Sequence, residues 1–201
     1  ICEIWGSSSG ALVGTAAAFA SVQQDYSKLE LCQKQFAEMD AKKLGCSQAA
    51  RSPIGAFVSG LLKQQSLGNA DGLAKAVHEA FPDHELAKLS AAGFPFLLHV
   101  ITTNLSQGCA SRFPLPVGRN VRNELGDFKK ALIASASMPP LLPPLLVGGA
   151  WQSDGGIACP CPSGLALVSL RHRDGSVSLD GSTLKAEQIL AVTLRVPARQ
   201  W

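Results

Sequence analysis

The pattern of apolar and polar positions changes period several times along the chain. Residues 1–5 (ICEIW) form a short, mostly apolar run bounded by Gly6, the signature of a buried strand. From Ser9 to about Val22 small apolar residues predominate (ALVGTAAAFA), which predicts a helix packed closely on its neighbours. Between Tyr26 and Leu44, Leu29, Cys32, Phe36 and Met39 recur at helical spacing. Glu30, Lys34, Glu38 and Lys42 form an alternating-sign i, i+4 face there. Ser27 and Glu30 read as a capping box and Gly45 as a stop. Ser52 and Pro53 open a further helix with the stripe Ile54, Phe57, Val58, Leu61 and Leu62, ended by Gly68. Asp71 caps another that turns Leu73, Ala76, Val77, Ala80 and Phe81 inward until Pro82, and Asp83 starts a shorter one to Gly93. The helices from 26 to 93 read as an insertion or cover.

At Phe96 the pattern becomes FLLHVITTNL, a β-branched and apolar run suited to a strand covered on both faces. A loop through Pro116 follows. Asn123 to Ser137 reads as a helix with Leu125, Phe128, Leu132 and Ile133 on one side, stopping at Pro139 and Pro140. Trp151 to Ser153 reads as a short strand leading into Asp154-Gly155-Gly156. LALVSLRH and ILAVTLRV read as the last strands, joined through Asp174-Gly175 and Asp180-Gly181. Strands interleaved with helices, and no internal repeat, predict a layered α/β domain. The expected form is a three-layer α/β/α sandwich with a mostly parallel central sheet.

Composition narrows the function classes. The 201 residues, 46% hydrophobic and 16% charged, suit one domain spanning 1–201 with a sizeable core and argue against disorder. The net charge of +3 comes without a block of like charges, so no nucleic-acid footprint is visible. Cys2, Cys32, Cys46, Cys109, Cys159 and Cys161 are too scattered for a disulfide scaffold, and reduced thiols are the expected state. The longest apolar candidate for a membrane span, MPPLLPPLLVGGAW, is broken by four prolines. The first residues lack a basic n-region and an apolar h-region, so no signal peptide is visible and the expected setting is cytoplasmic or membrane-peripheral. Opening at Ile1 on what reads as half a strand suggests a chain truncated at its N-terminus.

The candidate chemistry begins at Gly6-Ser7-Ser8-Ser9-Gly10. As composition, GSSSG is flexible linker. As position, it joins an apolar strand to an Ala-rich helix and matches G-x-S-x-G, in which a sharp turn exposes the central hydroxyl of Ser8. The pattern alone is weak, since this composition produces it by chance in about one chain in five or six. On this reading nothing bulky fits at Gly6 or Gly10, and the following helix N-terminus aims amides and its positive dipole end at the site. Asp154, in WQSDGG, stands where Gly155 and Gly156 permit an abrupt turn and leave the carboxylate facing a crevice. It is a partner for Ser8 on that reading and a surface turn on the plainer one.

Other readings stay open. His172 completes a Ser, Asp, His order with Ser8 and either Asp127 or Asp154, although RHR also suits a surface turn. His99, within FLLHVIT, is most simply a core histidine satisfied by backbone. Cys159-Pro160-Cys161 has no second cysteine pair at zinc spacing. The prolines at 139, 140, 143 and 144 read either as a hydrophobic mouth for acyl chains or as an extended connector.

Three ordered segments resemble the patatin-like phospholipases. IWGSSSGALVG resembles that family's nucleophile turn, PFLLHVITTNL the strand that follows, and ALIASASMPPLLPPLLVGGAWQSDGG its Ala-Ser, proline and closing Asp-Gly-Gly stretch. The resemblance implies a lipid acyl hydrolase working by a Ser-Asp dyad, with Ser8 as nucleophile, Asp154 as base and no histidine, cofactor or metal. It implies a lipid ester substrate met at a membrane or lipid-droplet surface. The backbone amide of Ser9 is one oxyanion donor by the logic of the turn, and partial burial beside Trp151, Leu145 or Leu146 is expected to make Asp154 more basic. Members of the family also carry a glycine-rich oxyanion loop on a strand before the nucleophile turn, and this chain begins too late to contain it. After Asp-Gly-Gly the family typically has paired Asn before Pro, where this chain has Pro160 and Cys161 and only Pro162 agrees. A member that binds lipid or a partner protein without turnover is the alternative.

Overall fold

Five residues at the start set the frame for the rest. In the computed structural model, which describes residues 3–37, 66, 68–91, 97–116, 121–160 and 162, strand β1 (Glu3–Ser7) runs straight into helix α1 (Ser9–Gln23). The small residues of α1 allow the close packing expected of them. A Cβ on Gly14 would stand 3.0 Å from Ile4 Cγ2, and Ala11, Leu12, Ala16, Ala18, Phe19 and Ala20 are all buried. A helix buried over so much of its circumference belongs to the core rather than to a surface.

Helix α2 (Ser27–Ala37) follows, and its start differs from the expected capping box. Ser27 is already inside the helix, and its N–H and hydroxyl both donate to the Asp25 carboxylate at 2.9 and 2.8 Å. Asp25 is therefore the capping side chain, and these bonds hold its carboxyl below the usual range. Helices α3 (Asp71–Ala80) and α4 (Asp83–Ala91) lie where the periodicity placed them, with Leu73, Val77, Ala80, Leu86 and Leu89 buried. Both pack on α5 (Val121–Ser135). The buried Lys129 ammonium on α5 donates to Asp83 at 2.7 Å, which lowers the Asp83 carboxyl pKa. Phe19 and Phe81 stack with centroids 5.8 Å apart in the same core. Truncating a fully buried ring such as Phe19 or Phe128 to alanine costs about 3–5 kcal/mol. The helix expected from Ser52 to Gly68 falls almost wholly outside the described residues, as do the two final strands and His172.

The sheet is built around β2 (Leu97–Asn104), seven of whose eight residues are buried. One edge of β2 pairs in parallel with β1, from Glu3↔Leu97 to Ser7↔Ile101. Its other edge pairs antiparallel with β3 (Cys109–Pro114), from Asn104↔Cys109 to His99↔Pro114. Beyond the end of β1, the first edge of β2 takes up β5 (Ala150–Ser153), antiparallel at Thr103↔Ser153 and Asn104↔Gln152. Strand β4 (Leu145–Val147) closes a hairpin with β5.

The α/β class is as the sequence predicts, and the parallel pairing expected of the sheet is present where α1 begins the crossover from β1 to β2. Among the described residues the other three pairings are antiparallel, so this part of the sheet is mixed. For two of them, β2–β3 and β4–β5, the reason is local: tight turns join the neighbouring strands directly, which parallel strands cannot do. One runs over Leu105–Gly108, held by Asn104 Oδ1 accepting the N–H groups of Ser106 and Gln107, with Gly108 at φ +66°. The other is Gly148-Gly149, at φ +58° and +78°, the backbone that a two-residue hairpin turn demands. The stretch read as a loop through Pro116 thus contains a strand.

Candidate active site

The layout of β2 brings two distant turns together. Strands β1 and β5 lie end to end along one edge of β2 and run toward each other, because β1 is parallel to β2 and β5 antiparallel. Their C-terminal residues, Ser7 and Ser153, face Ile101 and Thr103. The turns that follow, at Ser8 and Asp154, must meet beside the intervening residue of β2. They do: the Ser8 hydroxyl donates to Asp154 Oδ2 at 2.7 Å, across 146 positions of sequence.

Ser8 sits in backbone that side chains rarely adopt, with φ 55° and ψ −135°. Such a conformation costs on the order of 1–3 kcal/mol and persists only where the surroundings fix it. Here three contacts do so. The Ser8 carbonyl accepts the N–H of Ala11 at 3.0 Å, its N–H donates to Ser135 Oγ at 2.9 Å, and its hydroxyl is held by Asp154. Gly6 is required for close approach, since a Cβ there would stand 2.4 Å from Ala11 Cα. Gly10 is not: a Cβ there meets nothing within 4 Å. The expectation of a steric demand at both glycines is corrected for Gly10, which lies on the solvent side of the first turn of α1. Ser9 and Gly10 open that helix, so their amides have no partner within it and point out of its N-terminus.

The carboxylate is set differently. Asp154 has ordinary extended backbone (φ −48°, ψ 126°) and caps the four-residue helix α6 (Gly155–Ala158), its Oδ1 accepting the N–H of Gly156 at 2.7 Å. That leaves Oδ2 to Ser8. The Asp154 N–H donates to the Ser137 carbonyl at 3.1 Å, and its own carbonyl accepts the Thr103 hydroxyl at 2.7 Å. Gly155 is pressed against β2, where a Cβ would stand 2.1 Å from the Ile101 carbonyl oxygen and 2.7 Å from Ser7 Oγ. A Cβ on Gly156 would crowd Asp154 Oδ1 at 2.9 Å.

Only 2% of Asp154 is exposed. Burial raises its carboxyl pKa above the ordinary range, while the bonds from Ser8 and from the Gly156 amide pull the other way. The burying groups are not all those expected. Trp151 and Leu146 form a cross-strand pair that is 50% and 53% exposed. The polar partners of Asp154 are the hydroxyls of Ser8 and Thr103, the Ser137 carbonyl and the Gly156 amide.

Among the other candidates, Asp127 lies on an exposed face of α5 beside Lys130 at 3.9 Å, away from Ser8. His99 is buried and packs on Trp5 with ring centroids 4.2 Å apart. Cys32 is a core thiol whose pKa burial pushes up to about 11, and Cys161 falls outside the described residues. A shallow apolar cleft lined by Leu12, Cys32, Leu73, Val77, Ala80 and Phe81 sits among the helices and includes neither Ser8 nor Asp154. Sequence reasoning missed Ser135, Ser137 and Thr103, whose hydroxyl and carbonyl groups fix both turns. Only the run of small residues in ALIASAS hinted at close contact there.

A family model described as Patatin-like phospholipase matches residues 3–167, a span that holds both turns and the whole of β2. No curated protein sequence matches the chain at a significant level.

Proposed function

The chain belongs to the patatin-like phospholipase family, which implies lipid acyl hydrolase activity, and on that premise we propose that Ser8 and Asp154 form its catalytic dyad. Ser8 Oγ attacks the acyl carbonyl carbon of a lipid ester as its proton passes to Asp154 Oδ2. The charge that develops on the carbonyl oxygen is met by the Ser9 amide at the start of α1, reinforced by the positive end of that helix. Collapse of the tetrahedral intermediate breaks the ester C–O bond, and Asp154 returns the proton to the leaving alcohol. Water then attacks the acyl group on Ser8, giving its proton to Asp154. Release of the fatty acid returns that proton to Ser8 Oγ. No cofactor or metal enters these steps.

The observation that carries the reading is the 2.7 Å bond from Ser8 Oγ to a buried carboxylate, made from strained backbone at the mouth of a helix. An aspartate at its usual pKa of about 3.9 is a feeble base, and burial moves Asp154 in the useful direction. A direct serine-to-carboxylate bond assigns no task to His172.

Substrate reaches the dyad from a lipid surface met peripherally. The supporting feature is apolar exposure in segments that adjoin the site: Met138 and Leu141 follow Ser137 beyond the end of α5, and Ile157 follows Asp154, all at least 40% exposed. Among the described residues no helix is long and apolar enough to cross a membrane.

Turnover of a fluorogenic acyl ester tests the proposal. Ser8→Ala and Asp154→Asn each lower kcat/KM by at least about 10³-fold, and His172→Ala leaves it unchanged. Wild-type rates in either of the first two variants overturn the dyad. Loss on His172→Ala favours a triad, and no turnover by the wild-type chain favours a silent lipid-binding member.

A further inference from the structure

The last residue of α5 does something to the sheet that the dyad alone does not explain. Strand β1 pairs with β2 as far as Ser7↔Ile101. Were β1 to continue, the next bond of a parallel ladder would run from the Ser8 N–H to the Ile101 carbonyl. That bond is not made. The Ser135 hydroxyl stands between the two groups, accepting from the Ser8 N–H at 2.9 Å and donating to the Ile101 carbonyl at 2.6 Å. Ser135 and Ile101 are both fully buried, so the Ile101 carbonyl has no water as an alternative partner.

From this arrangement, and resting on the dyad reading above, we infer that Ser135 is a positioning residue for the nucleophile. Its hydroxyl lifts Ser8 off the sheet edge and holds it in the strained turn that aims Oγ at Asp154. Without that hydroxyl, the two orphaned backbone groups are driven to find each other. Their direct bond draws Ser8 back toward extended backbone, relieves the strain and withdraws Oγ from the carboxylate. The same helix end also serves the base, because the Ser137 carbonyl, two residues on, accepts the Asp154 N–H and the Ser153 hydroxyl, both at 3.1 Å. One short stretch, Ser135-Ala136-Ser137, thus sets both halves of the dyad relative to each other.

The test compares Ser135→Ala, Ser135→Thr and the control Ser90→Ala. Ser90 is an equally buried serine, bonded to Leu86 within α4 and remote from the dyad. Ser135→Ala is expected to lower kcat by about 10²-fold with KM changed less than about threefold, the cost of a nucleophile misplaced by on the order of 1 Å. The acid limb of its pH profile moves to higher pH, because Asp154 loses a hydrogen bond that lowers its pKa. Ser135→Thr keeps the hydroxyl and recovers most of kcat, and Ser90→Ala loses stability without loss of kcat. Should the alanine variant fail to fold, Ser135→Cys fills the site with a poorer donor and shows the same kcat loss in smaller measure.

Wild-type kcat in Ser135→Ala or Ser135→Cys, an unmoved acid limb, or a threonine variant no better than alanine overturns the inference. Ser8→Ala assayed alongside separates the two claims. If that variant is inactive while Ser135→Ala is normal, the positioning role alone falls; if Ser8→Ala turns over, the dyad falls with it.

Discussion

The turns after β1 and β5 end against the same strand and present their side chains to each other, yet they are built on opposite principles. At the first, strain lies in the functional residue: Ser8 takes a positive φ, and a fifteen-residue helix follows at once. At the second, Asp154 is relaxed, and the steric burden falls on Gly155, wedged against the Ile101 carbonyl. The difference suits the roles proposed for the two groups. A nucleophile has to stand clear of the backbone and reach a substrate, so its own main chain is bent. A base has to be withheld from water, so its neighbours are bent around it.

The largest effect expected on this contrast is at Gly155. Gly155→Ala forces a methyl into backbone rather than into a yielding side chain, and should cost about 1–3 kcal/mol or more by thermal denaturation. Turnover should fall with it, because α6 and the Asp154 carboxylate move together. A variant with wild-type stability and rate would show that the second turn is looser than its packing indicates.

Next comes Asp154→Asn, which separates function from stability. Asparagine can accept from the Gly156 amide and donate to Ser8 Oγ, so both contacts survive while the buried charge is removed. A carboxyl whose pKa is higher in the folded than in the unfolded chain makes the fold less stable as pH rises between those two values. The inactive variant should therefore melt above wild type at pH 8. The gap should narrow as pH falls through the raised pKa and close near the ordinary value of about 3.9. Equal melting temperatures across that range would mean that Asp154 carries no burial penalty.

The smallest effect separates the glycines of the first turn. Gly10→Ala should raise stability by less than about 1 kcal/mol, a matter of helix propensity alone, and show as a small rise in melting temperature. A marked loss would restore the steric role that its open surroundings deny it.

These glycines also show how far sequence reasoning reaches. The G-x-S-x-G and D-G-G patterns marked the two turns that the fold brings together, because tight turns between apolar elements leave a local mark. Nothing local could separate Gly6 from Gly10, since the distinction depends on Ala11 folding back over one and not over the other. The long helices and β2 were legible from periodicity and apolar runs. Strand β3 was not, because it is half exposed and its CASRFP sequence looks like loop. Strand β4 was hidden among prolines, although the two glycines at 148 and 149 were a hairpin signal in plain view. Ser135 and Thr103 were beyond reach: each acts through contacts with segments more than 30 positions away.

The most direct test of the account is covalent. Treated with an alkyl fluorophosphonate and digested, the protein should carry the phosphonyl adduct on Ser8, and Asp154→Asn should slow labelling by about 10²-fold or more as the general base is lost. An adduct on another residue, or labelling of Asp154→Asn at the wild-type rate, would contradict the pairing of these two side chains as nucleophile and base.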